Sequence, residues 1–312
     1  MANDARNLKH VLGVNDLSDS DVAEIFVRAA EVKAKGFNSS SLFSRIQGNE
    51  PVVALAFFEP STRTKLSFDT ASQRIGAKTI GFDNPESTSS AKGEQLYDTL
   101  RVIEKYADAI VIRRKAHDTI EVIREHVSIP VISAGVGSQE HPTQGLLDVF
   151  TIQERKNLAS IEHVCSYGDL INSRTMFSQV RLMLKMAKPG ITFSFVADKS
   201  MQISQDFKDE LETAGAKVIT TSKLDDVIQE ADVLHVIRPQ KERWEGVELD
   251  VYSPVDAGML SKMKSDSILL HALPRTGELD PATDSDSRSA IWDQVENGLF
   301  IRAALLEKVL SS

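Results

Sequence analysis

The sequence predicts an α/β protein made of two tandem parallel-sheet α/β domains, with the active site in the interdomain cleft. From about residue 50, apolar runs of strand length alternate with segments whose apolar residues recur three or four apart, the rhythm of parallel strands covered by helices. That rhythm occurs twice, with a Gly-rich, Pro-terminated stretch between the two halves. The chain, at 312 residues, also exceeds one ordinary core of about 100–200 residues.

An amphipathic helix over Asp19–Lys35 precedes the first repeat. Strands follow at Val52–Phe58, Lys78–Phe82, Ala109–Arg113 and Pro130–Ser133, with helices over Leu66–Ile75, Glu94–Tyr106 and Thr119–His126 between them. A hinge is expected at Gly135-Val-Gly-Ser-Gln-Glu-His-Pro142, and a long helix from Thr143 to about Arg155. The second repeat places strands at His163–Tyr167, Thr192–Ala197, Lys217–Thr220, Val233–Ile237 and Ser267–His271. Its clearest helices are Thr175–Met186 and Gln205–Ala214, the latter ended by Gly215. A last amphipathic helix, Ala290–Leu310, lies outside both repeats.

Composition removes several classes of function. Apolar residues make up 41% and charged residues 26%, with no tract that would leave the chain disordered. Apolar runs such as Val52–Phe58 fall far short of the roughly 20 residues a membrane helix needs, so no membrane partner is expected. Residues Met1-Ala-Asn-Asp-Ala-Arg-Asn do not read as a secretory leader, and a cytoplasmic location is expected. One cysteine, Cys165, supports neither an internal disulfide nor a thiolate metal cluster. The net charge of -9 argues against nucleic acid and turns attention to the basic residues aimed inward at a small anion.

Three segments in the first half carry such residues. Phe57-Phe58-Glu59-Pro60-Ser61-Thr62-Arg63-Thr64 joins a strand to a helix, where unpaired backbone N–H groups and the helix dipole favour an anion. Ser61, Thr62 and Thr64 add hydroxyls and Arg63 a bidentate guanidinium; a Ser/Thr run of this kind more often merely caps its helix. The pattern is neither a Walker loop nor Gly-x-Gly-x-x-Gly. His141-Pro142-Thr143-Gln144 opens the next helix, with His141 able to serve as an acid or a neutral donor and Gln144 one turn on. Arg113 ends a strand, on the ligand-binding edge of such a sheet.

The second half repeats the arrangement with Gly168-Asp-Leu-Ile-Asn-Ser-Arg174-Thr, Arg238-Pro-Gln-Lys-Glu-Arg243 and His271-Ala-Leu-Pro-Arg275. Arginines at strand ends in both halves would hold two anions side by side across one cleft, whereas exposed ion pairs would be worth about 0–1 kcal/mol each.

Taken in order, these motifs, with Lys92-Gly93-Glu94 between the first two, resemble the catalytic chain of the aspartate carbamoyltransferases over almost the whole sequence. The resemblance implies domains at 1–141, binding carbamoyl phosphate, and 142–293, binding aspartate, with a C-terminal helix, about 294–312, packing back on the first. It implies that Ser61, Thr62, Arg63 and Thr64 hold the phosphate, and that Thr64, Arg113 and His141 polarise the carbamoyl carbonyl. Gln144 and the Leu273 carbonyl would orient the carbamoyl NH2, with Leu273-Pro274 a cis bond. Arg174, Arg238 and Gln240 would bind the aspartate carboxylates. No cofactor, metal or covalent nucleophile is implied, because carbamoyl phosphate brings its own leaving group.

In this family Lys92 lies on a mobile loop, Pro85–Lys92, that reaches a neighbouring subunit's site, implying a homotrimer with active sites shared between subunits. A serine of that loop takes part; Thr88, Ser89 and Ser90 are all within reach, with Ser89 favoured. Arg302 matches another arginine near the site, and whether regulatory chains bind is left open by the sequence. Val136, Glu140 and Ala272 stand where the family has Asp, Gln and Pro, and Glu140 would favour a charged His141. The segment after Arg243 is also atypical. The rivals are a carbamoyltransferase for another amine such as ornithine, whose His-Cys-Leu-Pro and Ser-Met-Gly motifs are missing, and a non-catalytic homologue, which would be expected to have lost Arg63, Arg113 or His141.

Overall fold

The structure, a computed structural model, describes residues 9–37, 50–116, 118–137, 140–241, 244 and 253–311. Met1 to Asn7, Ser138 and Gln139 of the expected hinge, Glu242 and Arg243, and most of the atypical segment after them lie outside the described residues. The chain forms two compact units: one runs to Leu146 and takes in Val295 onward, the other is Leu147–Gln294.

The first unit contains β1 (His10–Val11), α1 (Asp19–Lys35), β2 (Val52–Phe57), α2 (Thr62–Arg74), β3 (Lys78–Phe82), α3 (Leu96–Ile103), β4 (Ala109–Arg114), α4 (Thr119–His126), β5 (Val131–Val136) and the start of α5 (Pro142–Arg155). Its strands pair in parallel in the order β1-β5-β4-β2-β3. The second unit contains β6 (His163–Gly168), α6 (Arg174–Met186), β7 (Thr192–Val196), α7 (Gln205–Thr213), β8 (Lys217–Thr221), β9 (Val233–Ile237), α8 (Ala257–Leu260) and β10 (Ile268–His271), parallel in the order β10-β9-β6-β7-β8. The final helix, α9 (Ile291–Leu310), belongs to the first unit from Val295.

Burial explains the order of the strands. The central strands β2, β4, β6 and β9 are apolar almost without a break and buried on both faces, as parallel strands between two helical layers must be. The outer strands β3 and β8 are more polar and partly exposed, which suits an edge. Ala54, Ala56, Leu100, Ile110, Ile112 and Ile123 build one core, and Cys165, Ile228, Leu234, Val236, Leu260 and Leu269 build the other. Helix α9 is tied to α1 by Arg28 to Glu307 at 2.5 Å, Lys33 to Asn297 at 2.8 Å and Lys308 between Asp21 and Glu24.

The topology creates one opening in each sheet. After β2 the chain steps outward to β3 and then returns to the opposite side of β2 for β4; β6, β7 and β9 repeat the manoeuvre. The connections thus diverge between β2 and β4, and between β6 and β9, leaving a crevice at the carboxyl ends of those strands, where open α/β sheets bind ligands.

Helix α3 (Leu96–Ile103) is shorter than the expected Glu94–Tyr106 helix, and α8 was not expected. Three further elements depart from the sequence expectation. Helix α2 begins at Thr62, one turn before its apolar pattern starts at Leu66, because its first turn is polar throughout. Strand β5 continues to Val136, so Gly135 and Val136 belong to the sheet and not to a hinge. Strand β1 is two residues long and depends on its pairing to Val131 and Ile132, too short a run to show periodicity.

The second unit is fastened at the amino end of its sheet by Asp232, 3% exposed. Its carboxylate accepts from the backbone N–H groups of Glu162 and His163 at 2.8 and 3.0 Å and from Lys156 and Lys264 at 3.1 and 2.9 Å. Burial alone would raise its pKa, but these donors outweigh burial and hold it at about 2. The stabilisation is therefore complete above the ordinary carboxylate range and is lost as pH falls through about 2. Asp232→Asn should cost about 2–4 kcal/mol in urea melts at pH 7, and the gap from the parent should shrink as pH is lowered from about 4 towards 2.

Candidate active site

The strand register places the anion-binding candidates of the first unit on one edge. Phe57, at the end of β2, is level with Arg113 in β4, and the Phe58 amide donates to the Arg113 carbonyl at 2.9 Å. Beyond β2, Ser61 stands at the start of α2 in extended conformation, and its hydroxyl makes no capping bond. The local-cap reading of the Ser/Thr run therefore fails at Ser61. Thr62 and Arg63 are exposed in the first turn, and Thr64 is buried. Arg113 donates to the Ala134 carbonyl at 3.2 Å and lies 3.6 Å from the buried Glu59 carboxylate, which fixes its direction.

His141 follows β5, the strand beside β4, and so leaves the same edge. It is 4% exposed, its carbonyl accepts from the Gln144 and Gly145 amides at the start of α5, and Nδ1 lies 3.4 Å from the Thr143 hydroxyl. The Glu140 carboxylate accepts from the Val14 amide at 2.5 Å, which anchors the loop before His141 to the N-terminal segment.

Lys92 and Ser89 lie on a separate 3-10 turn, Ser89–Lys92. Both are exposed, and among the described residues no ion pair holds the Lys92 ammonium. Thr88 is committed locally: its hydroxyl donates to the Pro85 carbonyl and accepts from the Ser90 amide. Arg302 is 4% exposed, donates to the Ser67 hydroxyl at 2.9 Å and lies 5.3 Å from the Phe68 ring centre, bracing the buried face of α2.

In the second unit, Gly168 ends β6 level with Ile237 in β9, at φ +133°, and a Cβ there would lie 2.2 Å from the Ile237 carbonyl oxygen. Only glycine permits that approach. Asp169, fully buried, then joins the two arginine-bearing loops: its carboxylate accepts from Asn172 at 3.0 Å, from the Gln240 amide at 2.9 Å and from Trp244 Nε1 at 2.9 Å. Sequence reasoning quoted Asp169 in a motif without giving it a task. Arg174 opens α6 and is 8% exposed, with Ser173 capping the helix through the Met176 amide. Arg238 is half-buried and donates to the Pro239 carbonyl at 3.1 Å. The Gln240 side-chain amide donates to the Asn172 carbonyl at 2.6 Å, a second link between the two loops. Arg275 makes a two-point pair with Asp284 at 2.6 and 3.0 Å, and its place at a strand end reflects this ion pair.

The loop after β10 turns sharply: Leu273 has φ +54° and its bond to Pro274 is cis. The buried thiol of Cys165 on β6 is pushed up to about 12 by its surroundings and carries no thiolate chemistry.

Charge at the helix starts separates three helices from the others. Helices α2, α5 and α6 have no acidic residue in their first turn. The other described helices of eight residues or more, α1, α3, α4, α7 and α9, all have one. An acid in the first turn neutralises the positive end of the helix dipole; where it is withheld, that end is left to favour an external anion. Each unit thus gathers an acid-free helix start and arginine at the carboxyl edge of its sheet, chemistry suited to an anion.

Residues 9–154 match the carbamoyl-phosphate binding domain of aspartate/ornithine carbamoyltransferases, and residues 162–309 match the Asp/Orn binding domain of the same family. The chain is 36% identical over 305 residues to an aspartate carbamoyltransferase catalytic subunit from Methanoculleus marisnigri, covering 96% of this chain and 99% of that one. It is 38% identical to the corresponding subunit of Vibrio cholerae, over 97% of each chain. Aspartate transcarbamoylase from Trypanosoma cruzi, crystallised with carbamoyl aspartate and phosphate, superposes with a TM-score of 0.87 at 32% identity, over 96% of this chain and 95% of that one. The chain belongs to the aspartate/ornithine carbamoyltransferase family.

Proposed function

We propose that this chain transfers the carbamoyl group of carbamoyl phosphate to the amine of L-aspartate, giving N-carbamoyl-L-aspartate and phosphate, an early step of pyrimidine biosynthesis. The observation that carries the reading is the pairing of an acid-free helix start with arginine in each unit: Arg63 at α2, and Arg174 at α6 with Arg238 after β9. The similar protein from Trypanosoma cruzi has been crystallised with carbamoyl phosphate and aspartate together, which supports the choice of substrates.

In this reading Ser61, Thr62, Arg63, Thr64 and the first amides of α2 hold the phosphate. Thr64, Arg113 and His141 donate to the carbamoyl oxygen, which gains negative charge as the amine attacks. Gln144 and the Leu273 carbonyl hold the carbamoyl NH2, and Arg174 and Arg238 the two carboxylates, with Gln240 completing the aspartate side. The amine nitrogen forms a bond to the carbamoyl carbon while the carbon–oxygen bond to phosphate breaks, and the departing phosphate takes the amine proton. Orientation and charge stabilisation supply the rate, with no covalent intermediate. Two arginines aimed at one ligand suit a dicarboxylate better than ornithine, whose side chain ends in an ammonium.

We further propose that the chain works in the cytoplasm as a homotrimer in which Lys92 and Ser89 complete a neighbour's site. The exposure of both side chains on one short turn, away from the other site residues in sequence, supports this.

Arg63→Ala should lower turnover about 100-fold or more without changing the thermal melt; turnover within a few-fold of the parent would exclude the phosphate role. Arg174→Ala should raise the KM for aspartate at least tenfold and leave that for carbamoyl phosphate within about twofold. Mixing Arg63→Ala chains with Lys92→Ala chains should restore activity once subunits exchange, and no recovery after verified exchange would rule out shared sites.

A further inference from the structure

His271 and Glu278 lie at the two ends of the loop that carries Leu273, and both side chains are almost completely buried, at 1% exposure each. The Leu273 amide donates to His271 Nδ1 at 2.8 Å. Nδ1 is therefore the unprotonated nitrogen, which puts the ring proton on Nε2, 2.7 Å from Glu278 Oε1. The second Glu278 oxygen accepts from the amide and the hydroxyl of Thr276, both at 2.9 Å. Burial would raise the Glu278 pKa, but the bonds from His271 and the loop outweigh it and hold the group at about 2, so it is ionised throughout the working range.

The framework behind the loop is equally committed. The His271 amide donates to Gln294 Oε1 at 2.8 Å, and the other end of that side chain donates to Asp148 at 2.6 Å. The Glu278 carbonyl accepts from the Val255 amide at 3.0 Å. One imidazole and one carboxylate thus link Leu273 to Thr276 across the turn, and the direction of the intervening Leu273 carbonyl is set by this buried pair.

We propose that His271 and Glu278 are positioning residues that aim the Leu273 carbonyl at the carbamoyl NH2, and that they thereby set the enzyme's preference for carbamoyl phosphate over acyl phosphates that lack an N–H donor. The inference rests on the reading of Leu273 given above. A methyl group in place of NH2 can donate neither to the Leu273 carbonyl nor to Gln144, so acetyl phosphate lacks both NH2 contacts while sharing the phosphate seat, and a loop variant that leaves Gln144 in place reports on the Leu273 contact.

The test compares the KM for carbamoyl phosphate with the inhibition constant of acetyl phosphate in the full-length enzyme, its Glu278→Gln variant and its Thr276→Ala variant, each with a thermal melt. Glutamine can accept from only one of the two donor sets, so Glu278→Gln should weaken carbamoyl phosphate about threefold to tenfold and lower kcat. Acetyl phosphate affinity and the KM for aspartate should stay within about twofold. Thr276→Ala, at an exposed position, should shift the ratio the same way by a smaller factor, and it carries the test if the glutamine variant does not fold. An unchanged ratio in the folded variants, or equal weakening of both phosphates, would overturn the positioning role. Equal affinity of the parent enzyme for both phosphates would instead overturn the assignment of Leu273, and the inference with it.

Discussion

Helix dipoles left without an acidic partner at Thr62, Pro142 and Arg174 are the constraint around which the proposed anion sites are arranged. In an otherwise acidic chain each such start forgoes about 0.3–1 kcal/mol of stabilisation that a first-turn Asp or Glu would provide. Parallel topology then concentrates the effect. All strands of a sheet end on the same edge, and the divergence of connections between β2 and β4, and between β6 and β9, opens a crevice at that edge. Arg113 lies one residue before the end of β4 and Arg238 follows β9, so each opening combines a helix start with at least one guanidinium.

Cationic groups gathered in this way need their own scaffolding, and buried carboxylates supply much of it. Glu59 directs Arg113, Asp169 ties the Arg174 loop to the Arg238 loop, and Glu278 with His271 closes the Leu273 turn. Each carboxylate accepts from, or lies beside, the backbone or side chains of the loop it serves. The arrangement uses negative charge for structure in the loops while keeping it out of the first turns of α2, α5 and α6. Glu140 follows the same pattern, since its carboxylate anchors the His141 loop at the Val14 amide.

Much of this was legible in the sequence, for identifiable reasons. The strands of both repeats are near-continuous apolar runs, so their positions and the two-sheet architecture could be read from periodicity. The arginines were found because they follow those runs. The first turn of α2 was missed because a polar turn has no apolar period, and β1 because two residues show no period at all. The commitments of Glu140 and Asp169 depend on partners 126 and 71 residues away in sequence, and spacing carries no trace of such pairs, whereas Glu278 reaches His271 only seven residues back through a turn that periodicity does not show. The withheld acids at three helix starts were readable in principle, as a contrast with the Asp and Glu residues that open the other helices.

The most direct measurement is product formation from carbamoyl phosphate offered with L-aspartate and, in parallel, with ornithine. The account predicts carbamoyl-aspartate and stoichiometric phosphate in the first reaction and no carbamoylated product in the second. Product from ornithine alone would mean that Arg174 and Arg238 do not select a dicarboxylate, and no product from either would contradict the catalytic reading of the two anion sites.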